Sequence, residues 1–232
     1  MMNIIRADQR YSKDMGWLKT YWLFSFSNYN DPSNVNFGKL RVFNDDVIAP
    51  GGSFPTHSHD EMEIITIILD GEITHEDSMG NRSVVRAGSV QGMTAGTGLS
   101  HSEFNGSDKP LWLYQIWIYP DSRELKPGYD QKDFKLASFK NHLLPVASGQ
   151  GITDAVKIHA DATIYRSSLD TDHEIDFRTD QERKIFLYVT SGNLVANNEM
   201  LHSGDQARIE HENHLNIKTD SHSEFILIDV MA

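Results

Sequence analysis

The residues best suited to chemistry fall in two short stretches, His57-Ser58-His59 and His101-Ser102-Glu103. In an extended segment successive side chains alternate faces, so His57 and His59 point the same way, as do His101 and Glu103. Two adjacent strands can therefore present three imidazoles and a carboxylate to one ion. That donor set suits a divalent first-row metal, and a coordination position left open for water or substrate makes such a site chemically useful.

The elements that must position these residues read as β-strands. Leu40-Arg41-Val42-Phe43-Asn44, Glu63 to Leu69 and Leu111 to Ile118 are β-branched and aromatic runs separated by Gly, Asp and Asn. Asp70-Gly71 is a two-residue hairpin signal, and Ser78-Met79-Gly80-Asn81 is a second turn. Asp121 to Lys135 is charged, contains Pro127-Gly128 and has no clean period, which makes it the expected connection between two units, 1–125 and 126–232. Beyond it the rhythm resumes: Lys184 to Val195 echoes Ile64 to Ile73, as an internal duplication would. The expected fold is all-β, with two packed double-sheet barrels. Helical signals are confined to short turns within Ser33 to Phe37 and Gln131 to Phe139.

Composition narrows the function classes. The chain has no cysteine, which removes disulfides and thiolate ligands and leaves His, Asp and Glu to bind metal. Its net charge of −12 and scattered Lys and Arg argue against direct nucleic-acid binding. No run approaches the ~18 apolar residues of a membrane span. The first residues lack the apolar core of a signal peptide, so a cytoplasmic location is expected. The seven histidines after residue 140 include no His-x-His, so the second barrel is expected to lack a metal. Trp17, Trp22, Phe24, Phe26, Trp112 and Trp117 read mainly as core, because aromatic residues at alternating strand positions pack inward.

Glycines and spacing extend the metal motif. Gly51 precedes His57-x-His59, Glu63 follows, and Gly98-x2-His101-x3-Asn105 completes a second motif; this pair resembles the motifs of the cupin superfamily. Gly96 stands where that pattern usually has proline, and the interval from Glu63 to Gly71 is one residue longer than usual. Gly16-Trp17-Leu18, Tyr29-Asn30-Asp31-Pro32, Asn44-Asp45-Asp46, His75 to Asn81 and Met93 to Gly98 carry the resemblance further, to the pirin family and its bacterial quercetinase-like members. The resemblance runs from about residue 5 to 120, and it implies a bicupin fold, two double-stranded β-helix barrels with one metal in the first.

Spacing alone permits either Glu63 or Glu103 as the carboxylate ligand. On a regular strand Glu63 shares a face with His57 and His59 but lies about 13 Å beyond His59. Reach and resemblance both favour Glu103, with Glu63 behind the ligands or at the core edge and His75 on the surface or behind them. The resemblance implies a quercetin 2,3-dioxygenase-like reaction that opens a flavonol with O2 and releases carbon monoxide. In it Glu103 serves as ligand and as base. Fe(II) is the metal it favours, while Mn, Co, Ni, Cu or Zn suit the same donors. It also implies an alternative, a metal-binding regulator acting through a protein partner, and a third reading is a cupin acting on another small metabolite. A chain already holding two barrels is expected to be a monomer.

Overall fold

The computed structural model describes residues 1–232. Its strands form two seven-stranded and two four-stranded sheets, one of each kind per barrel. The chain is all-β, a bicupin, and its only helices are short 3-10 turns at Ala7–Gln9 and Leu136–Phe139. No helix is long and apolar enough to cross a membrane.

In the first barrel Glu63–Asp70 is the third strand of the larger sheet, between Ser89–Thr94 and Leu111–Ile118. In the second, Lys184–Ser191 holds the same place between Gln206–Glu210 and Ser223–Val230. The duplication expected from the sequence thus has a structural counterpart in the third strand of each barrel's large sheet. Asp70-Gly71 does not close a hairpin, however. Glu63–Asp70 and Glu72–Asp77 belong to different sheets, and Gly71, at φ +82, is the corner between them. A side chain there would meet the Pro110 carbonyl oxygen at 2.9 Å. The second turn does close a hairpin, between Glu72–Asp77 and Arg82–Arg86.

The sequence expectation divides the chain at residue 125, and strand pairing crosses that point in both directions. Gly128–Asp133, inside the expected connection, adds an edge strand beside Ser89–Thr94 in the first barrel. Met2–Ile5, at the other end, adds one beside Gln206–Glu210 in the second. Each exchange covers a row of backbone donors and acceptors that an open sheet edge would expose.

The two large sheets pack face to face. Strand alternation sends Phe43, Ile65, Ile67, Tyr114 and Ile116 from one barrel, and Phe186, Tyr188, Ile226 and Ile228 from the other, into a shared core of 24 buried residues. The opposite faces of these strands turn into the two barrel interiors, which are filled differently. The second is packed with hydrocarbon, including Phe177, Leu215 and Ile217 on its small sheet. The first keeps only small apolar clusters at its ends and leaves its middle polar.

Candidate metal centre

The small sheet of the first barrel supplies the histidines. Ser53–His59 runs antiparallel to Leu99–Phe104, with His57 opposite His101 and His59 opposite Leu99. Between His57 and Phe54 the register shifts, Pro55 and Thr56 together facing the single residue Ser102. Pro55, which has no N–H to give the ladder, sits in this bulge. The bulge lets Phe54, His57 and His59 all face inward. Along the partner strand burial alternates, so Leu99, His101 and Glu103 point in and Ser100 and Ser102 do not.

His57, His59 and His101 converge, with one ligand atom from each lying within 4.8 Å of the others. Nε2 of His59 and Nε2 of His101 are 3.1 Å apart. Burial lowers His59 to about 4 and His101 to about 2, the neighbouring imidazoles adding to the effect. These rings are therefore neutral at pH 7 and offer lone pairs to a common point, the state a divalent cation needs. The donor set fits such an ion.

Glu103 is buried in the same cavity, and its nearest convergent donors are His101 and His75. Its carboxylate reaches across the barrel to the large sheet. Gln91 Nε2 donates to Oε1 at 3.0 Å and Gln115 Nε2 to Oε2 at 3.1 Å. Burial outweighs these donors and raises Glu103 to about 7. His101 thus belongs to two groups, one with His57 and His59 and one with His75 and Glu103.

Glu63 is not among them. The chain leaves the small sheet after His59, with Glu61 at φ +48, and enters the large sheet at Glu63. There Glu63 shares a face with Ile65 and Ile67, toward the second barrel, where Thr94 Oγ1 donates to it at 3.0 Å and His159 Nδ1 lies 3.8 Å away. The regular strand assumed from the sequence does not extend through residues 60–62, so Glu63 loses the face it was expected to share. His75 is wholly buried beside Glu103 on the next strand rather than at the surface.

The cavity beside the histidines has a volume of about 330 Å³. Trp17, Trp22, Phe26 and Trp117 line it, together with Phe54. Reading the aromatic residues as inward-facing was correct in direction, but for these four the interior is a hollow. Phe24 does join the inter-barrel core, while Trp112 Nε1 donates to Asp45 at 2.7 Å. Sequence reasoning missed Gln91, Gln115, Asn44 and Asp46, all contributed by the facing sheet. The signal for the glutamines was present: Gln115 is the only amide or charged side chain in Leu111–Ile118, and Gln91 sits mid-strand between Val90 and Gly92.

Gly96 explains the departure from the usual proline. Its φ is +49, outside the range proline allows, and a Cβ would lie 2.0 Å from the Leu125 carbonyl oxygen. That oxygen accepts from Thr97 N at 2.9 Å, which ties the loop behind His101 to the segment leaving the barrel.

Residues 5–118 match the family model Pirin, and residues 145–230 match the model described as the quercetinase C-terminal cupin domain. A quercetin 2,3-dioxygenase of Escherichia coli K12 is 39% identical over 231 residues, 99% of each chain. A pirin-like protein of Caulobacter vibrioides is 38% identical, over 93% of this chain and 94% of its own. Among solved structures, the bacterial pirin YhhW of E. coli in complex with nickel(II) superposes with a TM-score of 0.94 at 38% identity, covering 100% of this chain and 99% of that one.

Proposed function

Because the chain belongs to the pirin family, we propose that it is a metal-dependent dioxygenase that opens the heterocycle of a flavonol with O2 and releases carbon monoxide. One observation carries the reading: three convergent imidazoles, two of them on the wall of an aromatic-lined cavity, stand beside a buried carboxylate, Glu103. His57, His59, His101 and Glu103 would hold the ion, Fe(II) first, with nickel the metal found in the E. coli relative. When bound, the ion supplies Lewis acidity and a template for the vicinal 3-hydroxyl and 4-carbonyl oxygens of the flavonol.

The remaining work falls to the chain. Glu103, buried beside His101, is placed to take the 3-hydroxyl proton, leaving the ring electron-rich toward O2. Gln91 and Gln115 fix the carboxylate at both oxygens, so its position does not depend on solvent. Trp17, Trp22, Phe26 and Trp117 stack on the planar rings and exclude water from the reacting carbons.

The test is aerobic O2 uptake by protein loaded with Fe, Mn, Co, Ni or Cu and given quercetin, with carbon monoxide trapped on a haem protein. Flavonol-dependent uptake with matching carbon monoxide is expected, together with its loss in His57→Ala. The absence of uptake with every metal would overturn the reading.

A further inference from the structure

An unbroken ladder of aromatic rings runs from the imidazole cluster to the surface. The ring of Trp117 meets that of His59 edge-on, at 4.9 Å between centroids. Phe26 lies 5.3 Å from Trp117, Trp22 lies 5.4 Å from Phe26, and Tyr11 stacks on Trp22 at 5.3 Å. Tyr29 then stacks on Tyr11 at 4.4 Å. Trp22 is buried, whereas Tyr11 and Tyr29 are partly exposed. The other aromatic pair at the cavity, Trp17 with Phe54, meets no further ring. A second run, from His101 through His75, ends at Tyr129.

Rings pack in these geometries in many cores, but here their order matches their redox chemistry. In a chain without cysteine, tryptophan and tyrosine are the side chains that give up one electron most readily. Phe26 does not, and it bridges the two tryptophans. Lys13 Nζ lies 5.5 Å from the centre of the Trp22 ring, and it donates to Asn28 Oδ1 at 3.1 Å rather than to a carboxylate. This cation makes a positive charge on oxidised Trp22 unfavourable. The charge is relieved at Tyr11 or Tyr29, because a tyrosine that loses an electron also sheds its phenolic proton and ends neutral. At the surface that proton has water to go to, and a soluble reductant reaches the ring.

We propose that this ladder is an escape route for oxidising equivalents, which carries them from the metal centre to Tyr11 and Tyr29 before they damage the ligand histidines. The oxidant is hydrogen peroxide, the by-product when O2 is reduced at a metal centre without opening a substrate. Its reduction to two waters takes two electrons and two protons. The electrons come from tyrosine one at a time, through Trp22 and Trp117, and each oxidised tyrosine releases one proton to water. A soluble thiol returns a hydrogen atom to each tyrosyl radical, and two thiols couple to one disulfide. The balance is one peroxide and two thiols to two waters and one disulfide. The route needs a redox-active ion at the imidazoles but no flavonol, so it goes beyond the dioxygenase reading and does not depend on it.

The experiment mixes the full chain, loaded anaerobically with Fe(II), with hydrogen peroxide and no flavonol. Electron paramagnetic resonance on samples frozen during the reaction reads the radical, and peptide mass spectrometry reads oxidation of His57, His59 and His101. Wild-type protein is expected to form a tyrosyl radical with little oxidation of those histidines. Zn(II), which has no redox chemistry, is expected to give no radical. Trp22→Phe keeps both tyrosines and a ring in the gap, yet it is expected to lose most of the tyrosyl signal and to oxidise its histidines several-fold more. Tyr11→Phe combined with Tyr29→Phe keeps the stack and is expected to do the same, and it carries the test if Trp22→Phe does not fold. A tyrosyl signal that either variant leaves unchanged, as one on Tyr129 would be, overturns the proposal. So does a wild type that forms no tyrosyl radical, or one that forms it equally with Zn(II). Flavonol-dependent O2 uptake, measured separately, decides the dioxygenase reading whichever way the ladder falls.

Discussion

Nδ1 of His75 lies 3.5 Å from Nδ1 of His101, and on its far side Nε2 of His75 lies 3.4 Å from an oxygen of Asp77. All three side chains are buried, and Asp77 is itself held by Asn81 at 2.8 Å. The chain of contacts leaves Nε2 as the free nitrogen of His101, the same atom that faces His59. Tyr129 stacks on His75 at 4.9 Å between ring centroids. A histidine oriented from behind in this way is a better and more selective ligand. His75→Phe is therefore expected to weaken metal binding about tenfold to a hundredfold without abolishing it. Competition with a chromophoric chelator measures this. A loss as complete as that in His101→Ala would mean that His75 is itself a ligand.

Glu63 gives a pH dependence that is independent of the metal centre. Burial, partly opposed by hydrogen bonds from the His159 backbone and the Thr94 hydroxyl, pushes its carboxyl up to about 7. Between its ordinary range and pH 7 the folded protein therefore holds a proton that the unfolded chain has released. Folding stability consequently falls as pH rises through that window, and the loss is complete above about pH 7. Glu63→Gln removes this contribution and is expected to stabilise the metal-free protein at pH 8 by up to about 3 kcal/mol, with little effect at pH 4. Urea denaturation at the two pH values decides it. Equal shifts at both would assign the effect to packing rather than to the proton.

The clustering of His57, His59 and His101 was legible because it follows from period-two alternation within single strands. The two glycine-bearing motifs place those strands, and the density of family residues in the first half places the barrel. What was not legible depends on pairing between distant segments. Gln91 and Gln115 meet Glu103 from the facing sheet, and no local pattern says which polar strand residue will stand across a barrel. Likewise, a period-two reading separates Asp45 from Asp46 but cannot say that one face meets Arg10 and Tyr188 and the other a cavity. Gly71 misled for a related reason: a positive-φ glycine serves a hairpin and a corner between sheets equally well. Gly128–Asp133 has a charged, turn-like composition because it is an edge strand, exposed along one side.

The contact between Asp45 and the second barrel has a measurable weight. Tyr188 is buried in the inter-barrel core, and its hydroxyl donates to Asp45 and is met by Arg10. Burial and the Asp45 charge hold this phenol well above its ordinary range, so it remains a donor at all working pH values. Tyr188→Phe keeps the ring and removes the donor, leaving Asp45 with Trp112 and Arg10. A destabilisation of about 1–3 kcal/mol is expected from the under-satisfied buried carboxylate. Chemical denaturation checks the magnitude, and pairing Tyr188→Phe with Asp45→Asn in a double-mutant cycle isolates the contact. Additive effects in that cycle would show that Tyr188 acts only through packing.

The assignment of the ligands can be examined without any turnover. An ion that binds only the folded protein stabilises it by mass action, by about 2.7 kcal/mol when its free concentration is a hundred times its dissociation constant. Nickel or Fe(II), the latter added anaerobically, is therefore expected to raise the unfolding midpoint of the stripped protein in a concentration-dependent way. His57→Ala and His101→Ala each remove one of the three convergent imidazoles and are expected to abolish most of that rise. Glu103→Gln keeps the shape of the side chain but loses its charge, so a smaller rise is expected if the carboxylate completes the ligand set. Glu63→Gln lies outside both convergent groups, toward the second barrel, and is expected to retain the full response. The order of these four variants separates the two carboxylates that sequence spacing alone left open. A full response in Glu103→Gln with a lost one in Glu63→Gln would reverse the assignment.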